Sequence, residues 1–373
     1  MPFTVFDLEH TQSIWEQKVD INLTESGVHP IRLEELLDGD AGMLAELMSC
    51  EINYPHVNGN PELRENIAAL YDGANSENVL VTVGAAEANN IIMETLMEPG
   101  DELASLSPTY KQVWGIAENR GNVVRPFHLR SEEGWALDIN ELNRQVTDKT
   151  RIVAVVNPNN PTGHIMSETE MDAVITAADR VGAWILADEV YRGAERLRED
   201  ETPSFYGRYE KVLAVGSMSK AYGLPGLRIG WLVGPPKTVA DIWLRHEYST
   251  ITASMLSNVL ATYALSAPVR PRLMQRSRNY VRKGFEVLKT WMDGQDGLFS
   301  YTPPEASAVS FIRYHLDVNS TELMETLCRE ASVFLGAGDS FGMDHHLRIA
   351  FGQEKSVLED AFSRVEKVLA QYR

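Results

Sequence analysis

The sequence predicts an α/β fold in which a mostly parallel sheet lies between helices, followed by a smaller α+β domain. Three observations lead to this fold: short apolar runs recur, helical patterns separate them, and the pattern changes near the C terminus. Runs that are almost continuously apolar are typical of strands buried on both faces of a sheet. The runs are Val79–Val83, Arg151–Val156, Ala183–Ala187, Val212–Val215 and Arg228–Val233.

The segments between these runs predict crossover helices. Ser167 to Ile175 combines an amphipathic pattern with Ser167 and Glu170, which are spaced as a capping box. Helices that connect parallel strands place the strands side by side in one sheet. We therefore expect residues 45–280 to form one large domain.

A different pattern begins near Val269. A long charged helix is predicted to Met292, followed by strands at Phe311–Tyr314 and Leu347–Phe351 with a helix at Ser320–Ala331 between them. Residues 281–373 are expected to form the smaller domain. Residues 1–44 are too few to fold alone, so we expect them to pack against that domain.

Composition excludes several classes of protein. The 373 residues carry a formal charge of −19, which argues against nucleic acid or an anionic membrane surface as a partner. Cys50 and Cys328 are far apart and lack metal-ligand spacing, so neither a disulfide scaffold nor a metal site is expected. The N terminus lacks a basic region followed by an apolar one, and a cytoplasmic location is the default expectation.

The most informative segment runs from Gly216 to Arg228 and contains Lys220. It combines one amine, two serine hydroxyls, a guanidinium and several glycines. A lysine amine can form a Schiff base with an aldehyde, and serine and arginine donors suit a phosphate dianion. A solvated loop after a strand is the simpler interpretation of a lone lysine. The neighbours favour a covalently held, phosphorylated cofactor.

Two further polar segments follow predicted strands. Asn157–Gly163 reads Asn-Pro-Asn-Asn-Pro-Thr-Gly, and Asp188–Tyr191 reads Asp-Glu-Val-Tyr. Each would lie at the carboxyl edge of the sheet, where open α/β folds bind ligands. Alone, the first is more often a structural turn and the second a helix cap.

The three segments in this order resemble the class I/II aminotransferases of pyridoxal-phosphate fold type I. The motifs span Asn157 to Arg228, and weaker features extend the resemblance from about Ile21 to Phe351. The resemblance implies pyridoxal phosphate as cofactor, a seven-stranded type of sheet in the large domain, and a homodimer with shared active sites.

The resemblance also implies roles for the motif residues. Lys220 would form the aldimine with the cofactor and then move the proton between the substrate Cα and the cofactor. Asp188 would pair with the protonated pyridine nitrogen. Asn160 and Tyr191 would donate hydrogen bonds to the phenolate oxygen of the ring, which tunes its pKa.

Other positions match the family's phosphate and substrate contacts. The segment Thr82–Ala88 passes from a predicted strand through Gly84 into a helix. The free N–H groups at the start of a helix attract anions, which predicts a phosphate site at this turn. Tyr110 would stack on the ring, and Tyr54 would reach the phosphate in the neighbouring subunit. Arg348 would clamp the substrate carboxylate, and Gly27 would lie beside the substrate. The expected phosphate ligands are Gly84, Ala85, Ala86, Ser217, Ser219 and Arg228.

The predicted activity is transfer of an amino group between an amino acid and a 2-oxo acid by a ping-pong route. A β-lyase, cyclase or oxidase on the same scaffold is the alternative, since Ser26–His29 is similar to capreomycidine-synthase-like members. The family's lyases tend to carry His where this chain has Tyr191, which favours transfer. A ligand-sensing regulator is a third class, but no basic DNA-binding segment is visible. Candidates for reading the substrate side chain are Arg192, Glu195, Glu25 and His29.

Overall fold

The computed structural model describes residues 3–372. Positions 1 and 2 of the predicted N-terminal segment and position 373 of the predicted smaller domain lie outside the described residues. Helices and strands alternate along most of the chain. The α-helices are α1 Asp7–Trp15, α2 Leu33–Leu37, α3 Ala41–Ser49, α4 Pro61–Ala68, α5 Gly84–Leu96, α6 Gln112–Asn119, α7 Ile139–Gln145, α8 Glu168–Val181, α9 Pro236–Ser249, α10 Met255–Leu265, α11 Arg270–Asp293, α12 Ser320–Thr326 and α13 Lys355–Leu369.

The strands divide between one large sheet and smaller ones. They are β1 Ile21–Asn22, β2 Val79–Thr82, β3 Glu102–Ser107, β4 Val123–Arg130, β5 Ala136–Leu137, β6 Thr150–Val156, β7 Trp184–Asp188, β8 Val212–Ser217, β9 Gly230–Val233, β10 Phe299–Ser300, β11 Val309–Tyr314, β12 Val333–Phe334, β13 Gly336–Ala337 and β14 His346–Ala350.

The large sheet has the order β2-β9-β8-β7-β6-β3-β4-β5. Strands β8, β7, β6, β3 and β4 are parallel to their neighbours in that run, whereas β9 is antiparallel to both β2 and β8. The predicted α/β fold with a mostly parallel sheet is confirmed. Two-residue β5 adds an eighth strand to the expected seven, because Ala136 and Leu137 pair with the end of β4.

The apolar runs form the strands that the sequence predicts. The side chains of β2, β8 and β9 are buried throughout, as expected for a sheet covered on both faces. Helix α8 begins where the capping box predicts: Ser167 accepts a hydrogen bond from the Glu170 N–H, and Glu170 accepts one from the Ser167 N–H. These elements fix the loops that follow β6, β7 and β8.

The C-terminal part contains an antiparallel sheet of order β10-β11-β14-β13. The N-terminal segment joins it through β1, which pairs in parallel with β12. The same segment also contacts the large unit, where Asn119 and Thr4 exchange two hydrogen bonds. In α1, Leu8 packs in a core cluster with residues of the large sheet, and Trp15 packs against Cys328 and Phe334. The predicted division at residues 44 and 280 stays a prediction.

No helix among residues 3–372 is long and apolar enough to cross a membrane. Both cysteines are free thiols, Cys328 in the interior and Cys50 partly exposed. Burial raises the pKa of the Cys328 thiol to about 12, so this group stays protonated at neutral pH.

Candidate active site

A cavity of about 420 Å³ opens at the carboxyl ends of the parallel strands. The strands β6, β7 and β8 each end at a polar loop there, because open α/β sheets expose the loops after their strands at one edge. Asn160 follows β6, Asp188 ends β7, and Lys220 follows β8. The three segments that were separate in the sequence therefore line one space.

Asp188 and Lys220 are both largely removed from solvent. Burial raises the pKa of the Asp188 carboxyl to about 6. Hydrogen bonds from the Val190 N–H at 3.2 Å and from Asn89 at 3.3 Å act in the opposite direction, but burial has the larger effect. Burial lowers the pKa of the Lys220 amine. A lowered pKa increases the fraction of neutral amine, the form that acts as a nucleophile.

Tyr191 and Asn160 line the same cavity. The Tyr191 hydroxyl donates to the Ser26 hydroxyl at 2.8 Å, and burial raises the pKa of Tyr191 to about 12. The Asn160 side-chain oxygen accepts a hydrogen bond from Arg348 at 3.0 Å. Tyr191 is therefore a neutral hydrogen-bonding group near neutral pH.

Arg348 comes from β14 of the smaller sheet and is only 2% exposed. Its two terminal nitrogens donate to Asn160 and to the Thr24 carbonyl, the latter at 2.6 Å. Its buried Nε has no hydrogen-bond partner among residues 3–372. An unpaired buried donor is costly, so this nitrogen can still take an acceptor.

A cluster of donors forms the opposite end of the cavity. Ala85 and Ala86, in the first turn of α5, line it together with Ser217, Ser219 and Arg228. The first N–H groups of an α-helix lack intrahelical partners and attract anions. Gly84 has φ +76°, and a Cβ there would come within 2.4 Å of the Arg228 guanidinium. Glycine is therefore required for this close approach.

The chain matches the family model "Aminotransferase class I and II" over residues 34–365. It belongs to that family. Capreomycidine synthase of Streptomyces vinaceus is 30% identical over 96% of this chain and 91% of its own length. An aspartate aminotransferase of Streptomyces avermitilis is 27% identical, over 85% of this chain and 82% of its own. The structure of a PLP-dependent aminotransferase from Streptococcus suis has a TM-score of 0.93 at 30% identity, covering 100% of this chain and 99% of that one.

Membership in the aminotransferase family makes pyridoxal phosphate the cofactor, and the cavity fits that molecule. The Gly84–Arg228 contact leaves a cup of N–H and guanidinium donors of the kind a phosphate needs. Asp188 supplies a carboxylate for a protonated ring nitrogen, and Lys220 supplies an amine for the aldehyde. The donor set at each end of the cavity thus matches one end of the cofactor.

The structure brings most of the predicted site residues together. The cavity is lined by Ala85, Ala86, Tyr110, Asn160, Asp188, Tyr191, Ser217, Ser219, Lys220, Arg228 and Arg348. Gly84 touches Arg228, and a Cβ on Gly27 would lie 2.9 Å from the Ser219 carbonyl oxygen. Tyr54 is 79% exposed and lies outside the cavity of its own chain. Its predicted contact therefore requires another subunit.

Of the side-chain candidates, only Glu25 lines the cavity. Arg192 is paired with Glu189 instead, and Glu195 is fully buried against Arg278. His29 is hydrogen-bonded to Gln353. Loop position in the sequence was not enough to predict orientation, because each of these three side chains is held by another charge or amide.

Several lining residues had no role in the sequence prediction. Glu9, Gln12, Ser13 and Glu16 come from α1 and its C-terminal end, and Ser26 lies beside the predicted Gly27. The adjacency of Ser26 to Gly27 was a usable signal. Helix α1 offered none, because its placement depends on tertiary contacts such as the Tyr110 hydroxyl donating to Glu9 at 2.8 Å.

Glu87 connects the first turn of α5 to the end of α9. It accepts hydrogen bonds from the Val83 N–H, from His246 and from the hydroxyls of Ser249 and Thr250. Burial alone raises the pKa of Glu87, but these hydrogen bonds outweigh it and lower the pKa to about 2. Glu87 thereby fixes the helix start that carries Ala85 and Ala86.

Replacing Glu87 by Gln should make stability less dependent on pH. The pKa of Glu87 is lower in the folded than in the unfolded chain, so its stabilisation is present above about pH 4.5 and is lost as the pH falls toward 2. After allowance for solvent screening we expect a loss of about 1–3 kcal/mol at pH 7. Urea unfolding from pH 7 to pH 3 should show the wild type and Glu87→Gln converging. Parallel curves would contradict this role, and Glu133→Gln, an exposed site, is the control.

Proposed function

We propose that this enzyme transfers an amino group between an amino acid and a 2-oxo acid by a ping-pong route at one site. The observation that carries the proposal is the combination of an amine of lowered pKa, a buried carboxylate and a buried arginine with an unpaired Nε in one cavity. These groups are Lys220, Asp188 and Arg348. Together they can hold a cofactor, move a proton and orient a carboxylate.

Pyridoxal phosphate, when bound, supplies an aldehyde that reacts with amines and a ring that accepts electron density from the substrate. Lys220 would hold it covalently and, once released, would move the proton at the substrate Cα, since its burial favours the neutral amine. Asp188 would hold the positive charge of the ring nitrogen. Tyr191 and Asn160, which line the same cavity, would donate to the ring oxygen.

Two groups of contacts would fix position at the ends of the site. The start of α5, Ser217, Ser219 and Arg228 would hold the phosphate, and Tyr110 would cover one face of the ring. Arg348 would take the substrate α-carboxylate beside Gly27. Holding both ends restricts the reacting Cα to the neighbourhood of Lys220, which is the orientation that proton transfer needs.

The second stage distinguishes amino transfer from other reactions of this scaffold. In a ping-pong enzyme each active site takes the amino group from one molecule of amino acid and keeps it. The 2-oxo acid then accepts that amino group and returns the enzyme to its starting form. Initial rates measured at several concentrations of both substrates should give parallel double-reciprocal lines. Intersecting lines, or keto product formed in excess of enzyme without an oxo acid, would contradict the proposal.

A second candidate is a lyase, cyclase or oxidase reaction on the same residues. The similarity to capreomycidine synthase over nearly the whole chain favours it. Such a reaction would consume an amino acid without a 2-oxo acid. Continuous turnover of an amino acid in the absence of oxo acid, with or without ammonia release, is therefore the result that would replace the first candidate by the second.

We propose that the enzyme is a homodimer, and that it works in the cytoplasm, where its free thiols would stay reduced. An exposed apolar rim surrounds the loop before α4 and the end of α9. Its members are Met48, Ile52, Tyr54, Tyr248 and Ile251, each at least half exposed. The two segments that carry these residues meet, since the Thr252 hydroxyl donates to the His56 carbonyl and His246 to the Val57 carbonyl. A group of exposed apolar residues is typical of a subunit interface.

Replacing Ile52 by Glu should dissociate the proposed dimer. Ile52 is 84% exposed, so the substitution leaves the fold of the single chain intact. A charge in the centre of an interface costs about 2 kcal/mol or more, which weakens association by at least about 30-fold. Sedimentation should give twice the 41.7 kDa chain mass for the wild type and a concentration-dependent shift toward the monomer for the variant. Leu197→Glu, at an exposed residue outside the rim, should stay dimeric. A wild-type monomer would contradict the proposal.

A further inference from the structure

One wall of the cavity is acidic. Glu9 on α1, Glu16 directly after it and Glu25 after β1 all line the space that holds Lys220 and Arg348. We call these three residues the glutamate wall. They belong to the N-terminal segment, whereas the residues given roles with the cofactor come from the large unit.

The glutamate wall has no cationic partner within residues 3–372. None of its three carboxylates takes part in a salt bridge there, and the one side-chain hydrogen bond to it comes from the neutral Tyr110 hydroxyl to Glu9. Glu9 and Glu25 are close enough to raise the pKa of both Lys220 and Arg348, against burial, which lowers it. Their charge therefore acts on the interior of the cavity.

An independent observation indicates where the substrate carboxylate would bind. Arg348 is 2% exposed, lines the cavity, and keeps a buried Nε that has no partner among residues 3–372. A substrate with its carboxylate at Arg348 and its α-amine toward Lys220 has only the remaining lining for its side chain. Apart from Asp188 and Arg228, which have proposed roles with the cofactor, the charged groups of that remaining lining are those of the glutamate wall.

We propose that the amino donor carries a cationic group, an ammonium or a guanidinium, at the far end of its side chain. This inference rests on the proposed amino transfer. A distal cation would supply the missing partner of the glutamate wall, and three carboxylates together attract a cation although each is exposed to solvent. A distal carboxylate would meet three like charges, and the cationic side chains of the lining, Lys220, Arg228 and Arg348, are already committed.

Matched amino acids test the charge separately from the shape. The holoenzyme is titrated without oxo acid, and the absorption of its cofactor gives a half-saturating concentration for each amino acid. Arginine is compared with citrulline, its neutral counterpart, and lysine with norleucine. We expect at least one cationic member to half-saturate at about tenfold lower concentration than its partner, since three carboxylates act together. Glutamate should be the weakest, and the better cation distinguishes guanidinium from ammonium.

Variants test whether the glutamate wall causes the preference. Glu9→Gln, Glu16→Gln and Glu25→Gln keep the size of the side chain and one acceptor oxygen but remove the charge. Each should raise the half-saturating concentration of the preferred cation by about two- to fivefold and leave the neutral counterpart unchanged. Added salt should reduce the preference in the wild type more than in the triple variant. Glu133→Gln, outside the cavity, is the control.

The outcomes separate this inference from the proposed function. If arginine and citrulline, and lysine and norleucine, saturate the wild type equally, or if the triple variant keeps the full preference, the inference is wrong while amino transfer stands. If no amino acid alters the absorption of the cofactor, the proposed function itself fails. A preference for cations that disappears in the triple variant supports both.

Discussion

Replacing Lys220 by Ala is expected to lower turnover by roughly 10³-fold or more, because one side chain serves both as the covalent anchor and as the proton carrier at Cα. The cofactor should still bind, since Asp188, Arg228 and the start of α5 line the cavity independently of Lys220. Borohydride treatment of the wild type should fix the cofactor to the peptide that contains Lys220, as measured by mass spectrometry. The variant should show no such label.

The matched control is Lys237→Ala. Lys237 lies on α9 with an 88% exposed side chain and pairs with Asp241 outside the cavity. Its variant should keep wild-type turnover and labelling. If Lys220→Ala keeps more than about a tenth of wild-type turnover, the assignment of proton transfer to this amine is wrong, because general acid–base catalysis contributes at least about 100-fold.

Replacing Asp188 by Asn is expected to lower kcat/KM by about 10²–10³-fold, the usual effect of removing one preorganised electrostatic group from an active site. The amide keeps the shape and can still contact Asn89, but it cannot stabilise a protonated ring nitrogen. Asp179→Asn on the exposed face of α8 should have no effect. An active Asp188→Asn enzyme would contradict the proposed role.

The same variant should change how cofactor binding depends on pH. Burial raises the pKa of Asp188 to about 6 in the cofactor-free chain, so the carboxylate is ionised above that pH and protonated below it. Binding of a cationic ring should therefore weaken as the pH falls from 7 to 5. Fluorescence titration of the apoprotein should show this loss in the wild type and a flatter profile in Asp188→Asn. Identical profiles would assign the titration to another group.

The fold was predictable where burial is uniform along a strand. The runs at β2, β6, β7, β8 and β9 are apolar enough to be recognised, and two of the predicted helices, α8 and α11, have a clear cap or periodicity. Strands β3 and β4 were not singled out, because Glu102, Arg125 and Pro126 interrupt their apolar pattern. Glu102 is nevertheless buried, since its ion pair with Arg125 on β4 compensates the charge.

The site was predictable as far as local motifs reach. Asn160, Asp188 and Lys220 belong to segments whose order and spacing are informative, and the sheet brings them together because parallel strands end at one edge. The glutamate wall was not predictable in this way. Helix α1 is held at the cavity by contacts with residues distant in sequence, such as the hydrogen bond from Tyr110 to Glu9. Glu25 was a candidate, but nothing in the sequence placed Glu9 and Glu16 beside it.

The most direct test of the account is the fate of the amino nitrogen. The holoenzyme is incubated with an α-¹⁵N-labelled amino acid and an unlabelled 2-oxo acid, and the products are separated and analysed by mass spectrometry. Amino transfer predicts that the label appears in the amino acid formed from the oxo acid, with no label in free ammonia. Label found in ammonia, or retained in a product made from the donor alone, would contradict amino transfer.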